Sequence, residues 1–118
     1  GEAVGTPYYM APEQIRGAKT DARTDIYAFG IIAYEIVVGA RPFVHDNWVN
    51  LAAMHLQHEM PDFATKENGI PNWYQDLVFQ CTEKNPEFRF QSAEEIGELI
   101  KSHMEDGERR ISRMPAIF

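Results

Sequence analysis

Apolar residues are so dense between positions 26 and 38 that no single helix face can hold them. Ile26, Phe29, Ile31, Ile32, Ala33, Ile36, Val37 and Val38 fall on most sides, and a helix apolar on most sides must be enclosed by protein. The pattern therefore predicts a central core helix. Thr24 is expected to cap it, Asp25 suits its first turn, and Gly39 with Pro42 stops it. Upstream, Pro12 and Gly17 bracket a short helix, since proline favours the first helical position and glycine the residue beyond the last. A third helix starts at Asp46 or Asn47, carries Trp48, Leu51, Ala52 and His55, and is closed by Pro61. Asn72 with Gln75 reads as a capping box ahead of Tyr74, Leu77, Val78 and Cys81, and Ser92 with Glu95 as a second ahead of Ile96, Leu99, Ile100 and His103. No segment alternates as a strand does, so the fold class is all-α. The polar stretch 105–113 is expected to fray. Residues 1–104 then form the folded part and 105–118 a tail.

Composition narrows the function classes. Hydrophobic residues at 44% and charged residues at 25% fit a globular domain better than a disordered segment. Eleven basic against eighteen acidic residues leave a charge of −7, which disfavours nucleic acid as a partner. The run 28–38 is broken by Glu35 and is too short to cross a bilayer. Cys81 is the one cysteine, so no internal disulfide forms and a reducing, cytoplasmic setting is expected, with the thiol packed as a small apolar group. No signal peptide opens the chain, and a start at Gly1 without an initiator methionine suggests a piece of a longer protein.

Motifs sharpen this picture. Residues 5–13 read GTPYYMAPE, residues 24–30 TDIYAFG, residues 39–43 GARPF, and residues 85–96 NPEFRFQSAEEI. In order and content these resemble the end of the activation segment, the core helix and the last helices of the large lobe of a Hanks-type protein serine/threonine kinase. The forms APEQ, DIYAFG and SAEEI are more similar to bacterial members than to metazoan tyrosine kinases. Phe90 stands where many relatives have proline and Tyr27 where tryptophan is frequent; both keep apolar bulk.

The resemblance implies roles for individual residues. Glu13 and Arg89 are expected to pair within the lobe, and Asp25 to hold the catalytic loop through its backbone. Thr6 is expected to support the catalytic aspartate with its hydroxyl, while Gly5, Thr6, Pro7, Tyr8 and Tyr9 form a shelf for the protein substrate. The parent protein would use ATP and magnesium to phosphorylate protein serine or threonine. This chain carries none of the reacting motifs: no GxGxxG, no VAIK-like lysine, no HRD and no DFG. Asp62, Phe63 and Ala64 read DFA, but they follow APE instead of preceding it. The isolated chain is therefore expected to be inactive and to bind neither ATP nor magnesium. Its partners would be the protein substrate and the remaining kinase domain, with self-association through uncovered apolar surface. The alternative is a noncatalytic protein-interaction module from a truncated kinase or pseudokinase. His55 and His58 stand three apart without an HExxH context or a clear third ligand, so no metal site is expected. Ser112 follows Arg109 and Arg110, which makes it a candidate phosphorylation site in an accessible tail.

Overall fold

A computed structural model describes residues 7–115, which form five α-helices and a short 3₁₀ turn without any strand among them. The helices are α1 (Pro12–Ile15), α2 (Ala22–Val38), α3 (Trp48–Gln57), α4 (Asn72–Cys81) and α5 (Ala93–Ser112), with the 3₁₀ turn at Pro86–Phe88. Gly5 and Thr6 lie outside the described residues.

Local chemistry explains each boundary, and three differ from the sequence-based expectation. The cap of α2 is Asp21, not Thr24: Asp21 Oδ1 accepts from the Arg23 amide at 2.8 Å, and Thr24 Oγ1 accepts from the Asp21 amide at 3.3 Å. Thr24 thus sits three residues in and closes the reciprocal box. At the other end, Gly39 takes the left-handed conformation, φ 82°, and its amide bonds the Glu35 carbonyl.

The second difference is at α4, where Pro71 occupies the cap position and no Asn72–Gln75 box forms. Gln75 Oε1 instead accepts from the Phe63 and Ala64 amides at 2.6 and 2.8 Å, because those partly buried donors have no ladder to join. The third concerns the tail, which is helical: α5 continues to Ser112 instead of fraying after His103. Glu94 and Glu95 in its first turn and Arg109 and Arg110 in its last complement the helix dipole, and Arg109 meets Asp106 at 3.2 Å. Ser92 Oγ accepts from the Glu95 amide at 3.3 Å, while the Glu95 carboxylate reaches the Gln91 amide at 3.1 Å.

The core is arranged around α2. It crosses α4 at Gly30, where an added Cβ would lie 2.6 Å from Thr82 Cγ2 and 2.7 Å from Cys81 Cβ. Only glycine permits that approach. Cys81 is buried here among Ile26, Leu77, Phe90 and Ile96, and burial pushes its thiol up to about 12. A second cluster gathers Ala11, Tyr27, Ile31, Phe43 and Leu51 beneath Tyr8 and Tyr9, and a third joins Ala33, Tyr34, Phe63 and Val78. The full enclosure of α2 expected from its pattern is not met among the described residues. Phe29, Ile32 and Ile36, which share one helix face, are exposed, Ile36 by 73%.

Candidate functional site

The best-defined polar constellation is buried at the N-terminal side of α2. Glu13, the second residue of α1, is positioned by Pro12 at the helix start, and Arg89 follows the 3₁₀ turn. The two side chains meet as a two-pronged pair, Nη1 to Oε2 at 2.7 Å and Nη2 to Oε1 at 2.8 Å. Thr24 donates its hydroxyl to Glu13 Oε2 at 2.8 Å. Arg89 further donates to the carbonyls of Glu83, Arg23 and Lys84, so its guanidinium is satisfied on every side. Burial acts to raise the Glu13 pKa, but the hydrogen bonds from Arg89, its own backbone and Thr24, with the Arg89 charge, outweigh it and hold the carboxyl below its ordinary value. The arrangement ties α1, the start of α2 and the loop before α5 into one rigid corner.

The turn at Pro7, Tyr8 and Tyr9 rests directly on the core, with Tyr8 and Tyr9 against the cluster that contains Tyr27, Phe43 and Leu51. Tyr9 donates its hydroxyl to Glu35 Oε1 at 2.6 Å, which ties the turn to the last part of α2. Arg41, in the loop after α2, lies with its guanidinium carbon 3.9 Å from the centre of the Tyr8 ring. Glu35 and Arg41 were not among the site residues expected from sequence. The single charge inside the apolar run 28–38 was the available signal for Glu35.

Beneath this turn, His55 of α3 is fully buried, with Nδ1 2.7 Å from the Tyr27 hydroxyl and its ring edge-to-face with Phe43. Burial, then the Lys84 charge, pushes its pKa down to about 4 against the opposing influence of the Pro7 and Tyr8 backbone. The imidazole is therefore neutral at pH 7. Lys84 Nζ has no hydrogen-bond partner among the described residues and stands 4.8 Å from the Phe43 ring centre. Burial draws its pKa down to about 8, opposed by Glu59 and Glu83.

Other expected residues are dispersed. Asp25 is exposed on the uncovered side of α2, at a groove of ≈ 470 Å³ that Phe29, Ile96 and Ile100 also line. His58 caps α3 beyond its last turn, whereas His55 is engaged with Tyr27; among the described residues no cluster of three or more potential metal ligands occurs. Phe63 is buried against Tyr34, and Asp62 beside it is exposed, so the DFA stretch is a loop anchored by Gln75. Ser112 lies on the last turn of α5, far from the Glu13–Arg89 corner in sequence, and donates its hydroxyl to the Glu108 carbonyl at 2.9 Å.

Residues 1–101 match the family described as protein kinase domain. The chain is 41% identical over 99 residues to a protein of Clostridium perfringens named "Probable serine/threonine-protein kinase", covering 83% of this chain and 14% of that protein. It is 38% identical over 101 residues to the serine/threonine-protein kinase PknB of Mycobacterium leprae, covering 85% and 16%. It is also 31% identical over 116 residues to PknL of Mycobacterium tuberculosis, covering 98% and 29%. The chain thus spans less than a third of the length of each of these relatives.

Proposed function

Because this chain belongs to the protein kinase domain family, we propose that it is the helical end of the large lobe of a serine/threonine protein kinase, and that the longer parent transfers the γ-phosphate of ATP to protein serine or threonine. The observation that carries this reading is the Glu13–Arg89 pair, 76 positions apart in sequence and joined at 2.7 and 2.8 Å. It binds the APE segment to the loop before the last helix, which is the architecture that the motif order implies. In this role Glu13 and Arg89 maintain the lobe, Asp25 on the open side of α2 meets the catalytic loop of the parent, and Gly5, Thr6, Pro7, Tyr8 and Tyr9 hold the protein substrate.

The isolated chain is expected to hold neither ATP nor magnesium. The carboxylate of Glu13 is taken up by Arg89 and Thr24, Lys84 faces aromatic rings, and the phosphate-covering and metal-binding motifs are absent from all 118 residues. ATP and magnesium belong in this proposal to the rest of the parent, and the isolated chain is inactive. No helix among the described residues is long and apolar enough to cross a membrane. A cytoplasmic kinase domain with Cys81 reduced completes the proposal. The uncovered α2 face gives the isolated chain a route to self-association.

Thr6 supplies the test. A charge-assisted hydrogen bond from its hydroxyl, at about 2 kcal/mol in the transition state, corresponds to roughly a thirtyfold effect on kcat. In the parent, Thr6→Ala is expected to lower turnover by that order with little change in nucleotide affinity, and Thr6→Ser to keep more activity. Unchanged turnover in a folded Thr6→Ala parent, or phosphorylation of tyrosine alone, would remove the proposed role.

A further inference from the structure

The turn that carries Tyr8 and Tyr9 is flanked by one acid and one base whose engagement is unequal. Both oxygens of Glu35 are approached: Oε1 accepts from the Tyr9 hydroxyl at 2.6 Å, and Oε2 lies 3.5 Å from Arg41 Nε. Arg41 uses only that one nitrogen, which also reaches the Tyr9 hydroxyl at 3.5 Å. Its Nη1 and Nη2 donate to no acceptor among the described residues, and its side chain remains 37% exposed. The guanidinium carbon lies 3.9 Å from the centre of the Tyr8 ring, a cation–π contact that restrains the group beside the turn.

Such a fork matches two oxygens of a carboxylate or phosphate, and holding it in advance reduces the ordering needed on binding. Glu35 offsets part of the Arg41 charge, and each of its oxygens already has one partner in the Tyr9 hydroxyl or Arg41. The overall charge of −7 acts mainly at longer range, where salt screens it beyond about 8 Å. The local directional donors therefore decide what binds.

We infer that Arg41 is a specificity-determining residue that selects protein substrates bearing an anionic side chain, carboxylate or phosphate, in the segment that lies along Tyr8. This rests on the proposed kinase function and on the substrate shelf assigned to residues 5–9. It adds to that reading the chemical class of the substrate and a residue outside the shelf motif.

The experiment uses the full parent and a series of serine peptides that differ at one position at a time, with alanine, aspartate, phosphoserine or lysine placed on either side of the phosphoacceptor. The readout is the ratio of kcat/KM for the anionic peptide to that for the alanine peptide within each enzyme, so a general loss of activity cancels. The unmodified parent is expected to favour an anion at one stretch of positions by roughly fivefold, the scale of one partly exposed ion pair. Arg41→Gln should abolish the preference, and Arg41→Lys should keep a reduced part of it. The aspartate and phosphoserine arms tell a carboxylate source from a phosphorylated one. An undiminished preference in Arg41→Gln, or none in the unmodified parent, overturns the inference while leaving the kinase reading intact. Should Arg41→Gln not fold, an Arg41→Lys ratio equal to that of the unmodified parent for phosphoserine would count against the fork. Absence of phosphorylation of every peptide by the unmodified parent would instead defeat the kinase reading, and the inference with it.

Discussion

At the residue scale, burial makes Glu13 and Arg89 depend on each other, since their side chains are 8% and 0% exposed. Removing one partner leaves a charge in a poorly solvated corner, and either Glu13→Ala or Arg89→Ala is expected to cost on the order of 3 kcal/mol in denaturant unfolding. The double variant should cost much less than the sum; additive losses would mean that the two charges do not stabilise each other. Acid acts on the same region through two groups. The His55 pKa is about 4 in the fold against an ordinary 6.5, so the unfolded chain binds the proton first. Its contribution is therefore complete above pH 6.5 and lost as pH falls toward 4, with a slope of up to about 1.4 kcal/mol per pH unit. Glu13, lowered from 4.5, contributes fully above that value and loses its contribution as pH falls through the lower folded pKa. Lys84, lowered to about 8, gives its own decline only at more alkaline pH. On acidification from neutral pH, stability should thus decline below 6.5, and His55→Gln should flatten the part between 6.5 and 4, whereas an unchanged curve would contradict the buried neutral imidazole. None of the Tyr27–His55 contact was legible in sequence, because residues 28 positions apart on different helices leave no periodic trace. The Glu13–Arg89 contact is also long-range, and only the two motifs around it, not the charges themselves, pointed to it.

At the element scale, the helices were legible because apolar spacing reports a face, whereas their ends depend on single hydrogen bonds. Asp21 takes the cap of α2 although Thr24 is also a capping type, and the choice rests on which backbone amide each side chain reaches. Gln75 left its expected box because the Phe63–Ala64 loop, distant in pattern, offered two amides. The extension of α5 was missed because a polar stretch has no hydrophobic period, while its end charges favour a helix. Two glycines separate packing from propensity. Gly30→Ala is expected to destabilise the chain by about 1–3 kcal/mol, since Thr82 and Cys81 must move. Gly107→Ala, with nothing within 4 Å of its Cβ, should stabilise α5 by about 0.5–1 kcal/mol. Thermal unfolding of both variants checks the pair, and a tolerated alanine at position 30 would mean that α2 and α4 do not cross so closely.

At the scale of the whole molecule, the pattern of α2 calls for more cover than the described residues give it. Its inner face is buried on α4 and beneath the Tyr8–Tyr9 turn, while Phe29, Ile32 and Ile36 lie open beside Asp25. The apolar positions of α2 were legible, but not which of them would remain uncovered, because periodicity does not reveal which neighbouring elements are present. Light scattering of the isolated chain across concentration is expected to show self-association, and Ile36→Glu with Phe29→Glu should weaken it; a monomer at every concentration would remove that expectation. The candidate site was legible where its motif was local, as in the helix start at Pro12 and Glu13, and not where the fold assembled Glu35 and Arg41 around Tyr9. The account's central claim is that this chain supplies the support of a kinase lobe without its reacting groups. Transfer of radiolabelled γ-phosphate from ATP to a serine- or threonine-containing protein, measured side by side for the parent and for the isolated 118 residues, tests it most directly. Label on serine or threonine with the parent and none above background with the isolated chain is the expected result; transfer by the isolated chain, or none by the intact parent, would contradict it.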